Sequence, residues 1–218
     1  MSDAGRVIAG TAKGTRLIAP GEGTRPFGDR VKQTLFAILE PDLRGATILD
    51  VFAGSGAGGI EALSRGAARA VFVERDGTAA RVIAENLSRA RLADRGVVVR
   101  GDATAYVAER AAADGPFDLV LLDPPYAASE LLESTLARLA TPPAGGSVIL
   151  QPDAWVVAKH FWRTPLPQAV GLLASVRTRR FGETALTFYR QAPAEPADAA
   201  QLPDIPRDQV APGAGGTR

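Results

Sequence analysis

The sequence predicts a doubly wound α/β fold: a mostly parallel sheet with helices on both faces, a C-terminal antiparallel hairpin and a small N-terminal arm. Three observations predict it. After Pro41, short runs rich in Val, Ile, Leu or Phe alternate with helical stretches. The runs start about 20–30 residues apart, the length of a strand plus a crossover helix. The last two runs break that spacing, because only Arg180-Phe181-Gly182-Glu183 lies between them, too short for a parallel crossover.

A chain of 218 residues is long enough for one domain with its own core and some appendages. Residues 5–28 read as short strands and turns, Arg6–Gly10 and Arg16–Pro20. Asp29 is placed to cap a helix over Arg30–Leu39, whose Val31, Leu35, Ile38 and Leu39 share one face. Five core strands follow: Thr47–Phe52, Ala70–Glu74, Val97–Arg100, Phe117–Asp123 and Ser147–Gln151. Near-continuous apolar runs of this kind suit parallel strands covered on both faces. Helices fit between them at Gly58–Arg65, Thr78–Ala93, Ala103–Ala112 and Ser129–Leu139. Gly171–Arg179 and Thr184–Arg190 then form the hairpin at the sheet's edge. From Ala192 the chain is rich in Pro, Ala and Gly, and buries too little to offset its ordering entropy. The expected organisation is an arm and helix over residues 1–40, a core domain over 41–191 and a disordered tail over 192–218.

Composition removes several classes of function. With no cysteine, a disulfide framework, a Cys-ligated metal and a cysteine nucleophile are excluded; with His160 alone, so is a multi-His metal site. No apolar run approaches the ~18 residues of a membrane span, and Met1–Pro20 offers no signal-peptide stretch. A soluble cytoplasmic protein without metal or membrane is expected. Residues 1–35 hold six basic and three acidic side chains on an otherwise nearly neutral body, which points to an anionic partner or simply to a solvated segment.

Two motifs carry chemistry. Asp50-Val51-Phe52-Ala53-Gly54-Ser55-Gly56-Ala57-Gly58-Gly59 closes the first core strand and opens a helix. Its glycines permit a tight turn and close backbone approach to a ligand at a helix N-terminus. Glu74 follows Gly54 by 20 residues, at the end of the second strand, where a carboxylate accepts ribose hydroxyl hydrogens. This pair indicates a ribose-bearing cofactor, either a dinucleotide or S-adenosylmethionine. Asp50 is placed to reach a methionine ammonium or to brace the loop. Asp102, in Gly101-Asp102-Ala103, is placed to accept from an adenine amine or to cap a helix. The second motif, Asp123-Pro124-Pro125-Tyr126, follows the fourth core strand. Two prolines fix the backbone and remove two N–H donors. A carboxylate, a carbonyl and an aromatic face are left for an exocyclic amine on a planar base. Ser55 is no nucleophile elbow, since Ala53 stands where G-x-S-x-G needs its first glycine. His160, Trp155, Phe161 and Trp162 read as packing residues.

D-P-P-Y after the fourth strand, with D-x-F-A-G-S-G after the first, resembles the amino-methyltransferases that use S-adenosylmethionine. The front segments narrow the resemblance: Arg6-Val7-Ile8-Ala9-Gly10, Lys13-Gly14-Thr15-Arg16-Leu17 and Arg25-Pro26 with Asp29–Phe36. Together with Phe181-Gly182-Glu183-Thr184, they resemble the RsmD family, bacterial 16S ribosomal RNA guanine-N2 methyltransferases, over about residues 5–190. The resemblance implies a Rossmann-like class I methyltransferase fold and S-adenosyl-L-methionine as cofactor. It implies 16S rRNA, or the assembling small ribosomal subunit, as partner. It places Asp50, Ala53, Gly54, Ser55, Gly56, Gly58, Glu74, Arg75, Asp102 and Ala103 around the cofactor. Asp123, Pro124, Pro125 and Tyr126 would hold the target guanine. It sets the Arg25–Arg30 segment near cofactor and RNA, and by its charge the basic arm, through Arg16, Arg25, Arg30 and Lys32, would contact RNA phosphate. Phe27-Gly28 follow Pro26 where the family carries Thr, and Gln151 stands where an acid is expected. The alternatives are an adenine-N6 DNA methyltransferase, which D-P-P-Y also serves, an NAD(P) oxidoreductase and a non-catalytic RNA-binding module.

Overall fold

A computed structural model describes residues 3–21, 28–141 and 148–191. The expectations for Arg25, Pro26 and Phe27, and for the tail from Ala192, fall outside the described residues. The chain opens with an antiparallel pair, β1 (Asp3–Arg6) and β2 (Arg16–Ile18), followed by α1 (Asp29–Leu39). The alternating part comprises β3 (Thr47–Asp50), α2 (Ala57–Ser64), β4 (Arg69–Glu74), α3 (Gly77–Arg89) and β5 (Gly96–Arg100). It continues through α4 (Ala103–Glu109), α5 (Ala111–Asp114), β6 (Phe117–Leu122), α6 (Ser129–Leu139) and β7 (Leu150–Phe161). Three antiparallel strands finish it: β8 (Ala169–Val170), β9 (Leu173–Phe181) and β10 (Thr184–Gln191).

One sheet holds eight of these strands in the order β5-β4-β3-β6-β7-β10-β9-β8. The first five run parallel and the rest are antiparallel. Successive side chains of a strand face opposite sides, so each parallel strand feeds two cores. Ile48, Phe72, Leu119 and Leu121 pack with α1, α2, α3 and the N-terminal pair. Leu49, Val71, Val73, Val120 and Leu122 pack with α4 and α6 on the other side. The order reverses between β3 and β6, which opens a crevice at the carboxyl ends of the strands. Among the described residues no helix is long and apolar enough to cross a membrane.

Buried polar groups tie the N-terminal arm to this body. Glu61 on α2 accepts from the backbone N–H groups of Ile8 (2.8 Å) and Ala9 (3.1 Å). Ser64 donates to the Ala9 carbonyl and accepts from the Ala12 N–H. Asn86 on α3 accepts from the Ile18 N–H and donates to the carbonyls of Ile18 and Ser55.

Four expectations are corrected. Gly28 occupies the N-cap position and makes no side-chain cap bond. Asp29 is the first helical residue instead, with its carboxylate 3.5 Å from Arg6. The fifth core strand extends to Phe161 rather than ending at Gln151, because it pairs with β6 on one side and β10 on the other. Trp155–Phe161 is therefore strand, and His160 is buried within it, bonded to Thr187. The helix expected over Ala103–Ala112 breaks at Arg110, whose φ of −126° leaves the helical region. Lys32 does not reach out to phosphate. Its side chain is fully enclosed, donates to the Arg6 carbonyl and lies 3.6 Å from Glu61.

Candidate active site

The carboxylates singled out in the sequence converge at the carboxyl edge of the parallel strands. Asp50 ends β3, Glu74 ends β4, Asp102 follows β5 and Asp123 follows β6. Between Asp50 and α2 the glycine loop turns sharply. Phe52 holds φ 84°, a rare value for a side chain with Cβ, while Gly54 and Gly56 hold φ 56° and 77°. The backbone N–H groups of Phe52 and Ala53 both donate to the Val73 carbonyl, which secures the turn to the neighbouring strand. Gly59 is fixed by close packing: a Cβ there would meet the Phe72 ring at 2.4 Å.

Glu74 sits at the centre of this loop. Its carboxylate accepts from the Gly54 N–H at 2.9 Å and from the Asp76 N–H at 2.9 Å. The tip of the glycine turn is thus held against the end of β4. Asp50 is buried and accepts from the Gly59 N–H at 2.8 Å, so it braces the loop. Burial pushes its carboxyl up to about 7, against the Gly59 bond, and the charges of Asp123 and Glu74 add to the rise. Asp102 accepts from the Ala105 N–H and caps α4, with Ala103 buried behind it. Ser55 gives its carbonyl to Asn86, Gly58 is buried against Asp50 and Leu121, and Arg75 is exposed beside Glu74.

Asp123-Pro124-Pro125-Tyr126 forms the far wall. Asp123 is gripped by Lys159 of β7, whose Nζ donates to both carboxylate oxygens at 2.7 and 2.8 Å. Burial raises the Asp123 carboxyl, and Lys159 opposes that rise. The Tyr126 hydroxyl is hydrogen-bonded to Thr184 of β10, and its ring lies 6.2 Å from that of Phe161. A small pocket opens between Pro124, Tyr126, Leu132, Lys159, Phe161 and Leu166. Sequence reasoning missed Lys159, Phe161 and Thr184. One signal was available: Lys159 is one of only 3 lysines in a chain with 22 arginines. A compact ammonium where Arg is the default marks a position that needs a point charge.

The remaining expected RNA contacts do not gather with this group. Arg16 lies on β2 with Asp3 3.8 Å away, and Arg30 is exposed on the first turn of α1.

Comparison with known proteins agrees with this geometry. A family model described as "Conserved hypothetical protein 95" matches residues 5–190. The ribosomal RNA small subunit methyltransferase D of Escherichia coli (strain K12) is 33% identical over 195 residues, 89% of this chain and 93% of its own. The protein of the same name from Haemophilus influenzae is 40% identical over 122 residues, 56% of this chain and 63% of its own. Among solved structures, the Escherichia coli protein yhhF superposes with a TM-score of 0.75 at 32% identity, covering 87% of this chain and 98% of its own. The fold is that of a Rossmann-like class I methyltransferase. The family match runs from the N-terminal arm through the glycine loop and D-P-P-Y to the final strand, and the chain belongs to the RsmD family.

Proposed function

We propose that this protein transfers a methyl group from S-adenosylmethionine to the exocyclic N2 amine of one guanine in 16S ribosomal RNA, in the cytoplasm, on free RNA or the assembling small subunit. The observation that carries the proposal is Asp123-Pro124-Pro125-Tyr126 at the end of β6, the strand next to β3 with its glycine loop, in a chain of the RsmD family. The residues fit the cofactor. A Cβ at Gly54 would meet nothing within 4 Å, so the loop has open space before it, and Glu74 stands beside it with acceptor capacity for a ribose. Bound there, S-adenosylmethionine supplies a methyl group already activated for transfer. Positioning is then the main task left to the protein.

Glu74 holds the ribose, Asp50 and Gly54–Gly58 shape the methionine side, and Asp102 lies on the adenine side with Arg75 and Ala103 near. Asp123 and the Pro124 carbonyl accept the two amine N–H groups, Pro125 keeps that carbonyl fixed, and Tyr126 stacks on the base. As the amine nitrogen gains a methyl it sheds a proton, and the raised Asp123 carboxyl is suited to receive it. Lys159 favours guanine over adenine. Guanine sets an acceptor, O6, beside its N1 and N2 donors; a carboxylate beside an ammonium offers the complementary pair. Arg16, Arg25 and Arg30 serve RNA phosphate. Residues 41–191 form the catalytic domain and 1–40 its arm, and the segment 192–218 is dispensable for turnover.

The test is to incubate the full chain with S-adenosylmethionine and small-subunit RNA lacking this methyl group, then digest to nucleosides for mass spectrometry. N2-methylguanosine is expected. N6-methyladenine formed in DNA would keep the D-P-P-Y chemistry and overturn the substrate. Tight binding of NAD without S-adenosylmethionine binding would overturn the class.

A further inference from the structure

We propose that the RNA strand leading away from the target base runs along β9, over Phe181, Arg179 and Arg177. This rests on the ribosomal RNA reading above and adds the surface that would hold the substrate.

Register carries the argument. In an antiparallel ladder, directly paired residues send their side chains to the same face. Phe161 pairs with Thr184, and Thr184 with Phe181. Lys159 pairs with Leu186, and Leu186 with Arg179. Val157 pairs with Phe188, and Phe188 with Arg177. Three parallel rows therefore cross β7, β10 and β9. The first two begin at residues that touch the D-P-P-Y segment, Phe161 against Tyr126 and Lys159 on Asp123. They end at Phe181 and Arg179. With neighbouring strands about 4.8 Å apart, Arg179 lies roughly 10 Å along the sheet from Lys159.

Charge and exposure agree. Arg177 and Arg179 are exposed, and among the described residues no carboxylate pairs with either. Arg190 on the neighbouring β10, by contrast, is already partnered with Asp42. Arg177 also lines an open groove against Ala37 and Ile38 of α1, floored by Trp155 with Arg190 stacked 3.8 Å over its ring. The strip thus leads from the site toward this open groove between α1 and the sheet. Guanidinium forks for phosphate and a half-buried phenyl ring for a base match a flexible single strand. A charge that merely protects a strand near a sheet edge has no need to share a row with Lys159, as Arg179 does.

The experiment is an anisotropy titration of the full chain with a 16S rRNA fragment that contains the methylated guanine, repeated over a salt series. Arg177→Gln/Arg179→Gln should weaken binding at least ten-fold at low salt. It should also lower the log–log salt slope by about 1.4–1.8, two phosphate contacts' worth. Phe181→Ala should weaken binding about five-fold or more with the slope unchanged. Arg138→Gln, an exposed charge at the last turn of α6, should leave both quantities as in the wild type. For the double variant, melting temperature and S-adenosylmethionine affinity should stay at wild-type values, and methylation should lose KM rather than kcat. An unchanged salt slope in the double variant, or an equal loss in Arg138→Gln, would overturn the strip while leaving the methyltransferase reading intact. RNA binding that depends on Arg177 and Arg179, with methylation of neither free RNA nor the assembling subunit, would sustain the strip and overturn that reading. A wild type that binds neither the fragment nor the assembling small subunit would overturn both.

Discussion

Lys32→Met separates a structural lysine from a phosphate contact. Lys32 and Glu61 are both fully enclosed, with 3.6 Å between Nζ and the carboxylate. Lys32 also donates to the Arg6 carbonyl, so it joins α1, α2 and the end of β1. Methionine keeps the length and the apolar stem and deletes the cation. Removing one partner of a buried ion pair costs about 3–5 kcal/mol, chiefly because the other charge stays buried. Here Glu61 keeps the Ile8 and Ala9 N–H groups and the Arg65 guanidinium at 2.9 Å. The cost should therefore fall near about 3 kcal/mol, which in a protein of this size lowers the melting temperature by about 6–12 °C. Thermal unfolding followed by calorimetry gives that number, and Glu61→Gln with the double variant gives the coupling. RNA affinity measured well below the transition should keep its wild-type salt slope. A melting temperature within about 1 °C of wild type, joined to a salt slope reduced by about 0.7–0.9, would refute the buried role and return Lys32 to the RNA surface.

Three further outcomes are expected. Glu74→Ala removes an acceptor shared by the Gly54 loop and the proposed ribose, and should weaken S-adenosylmethionine binding by roughly ten- to a hundred-fold, at about 1.5–3 kcal/mol for bonds to a charged group; unchanged binding by calorimetry would remove Glu74 from the site. Asp123→Asn should abolish most methyl transfer while cofactor binding persists, and near-normal turnover would end the proposed role of the carboxylate. Asp50 has a folded-state value of about 7 against an ordinary 3.8, so the native state keeps a proton that the unfolded chain has already lost. Stability from this group is therefore greatest at low pH and declines between about pH 4 and pH 7, by up to about 4 kcal/mol. Asp50→Asn, which keeps an oxygen for the Gly59 N–H, should flatten stability across that window, and a variant with the wild-type slope would contradict the assignment.

The parallel half of the fold was legible because each strand there feeds two cores. Runs such as Ile48-Leu49 and Phe117–Leu122 have few other interpretations between glycine turns. The glycine loop, Glu74, Asp102 and D-P-P-Y were legible for the same local reason: each ends a strand, so sequence spacing sets position. β7 was not, because its carboxyl half mixes Lys159, His160 and the aromatics that a strand between two partners can hold. Lys159 and Thr184 join the candidate site only through pairing of β7 with β6 and β10, a contact that sequence separation hides. The fate of Lys32 was hidden likewise. Its helical spacing resembles that of an exposed charge, and only Glu61, placed opposite by the packing of α1 on α2, makes burial tolerable.

Asn86 has a consequence for how the arm and the glycine loop are joined. Its one side-chain amide carries the Ile18 N–H, the Ile18 carbonyl and the Ser55 carbonyl, so the arm and the glycine loop share a rivet. Neither can shift far without stranding a buried polar group of the other, at about 1–3 kcal/mol for each one left unmet. By linkage, whatever coupling Asn86 passes from a ligand at the loop to one at the arm must equal the coupling passed in the other direction. A ligand held at one end would be felt at the other through this buried amide.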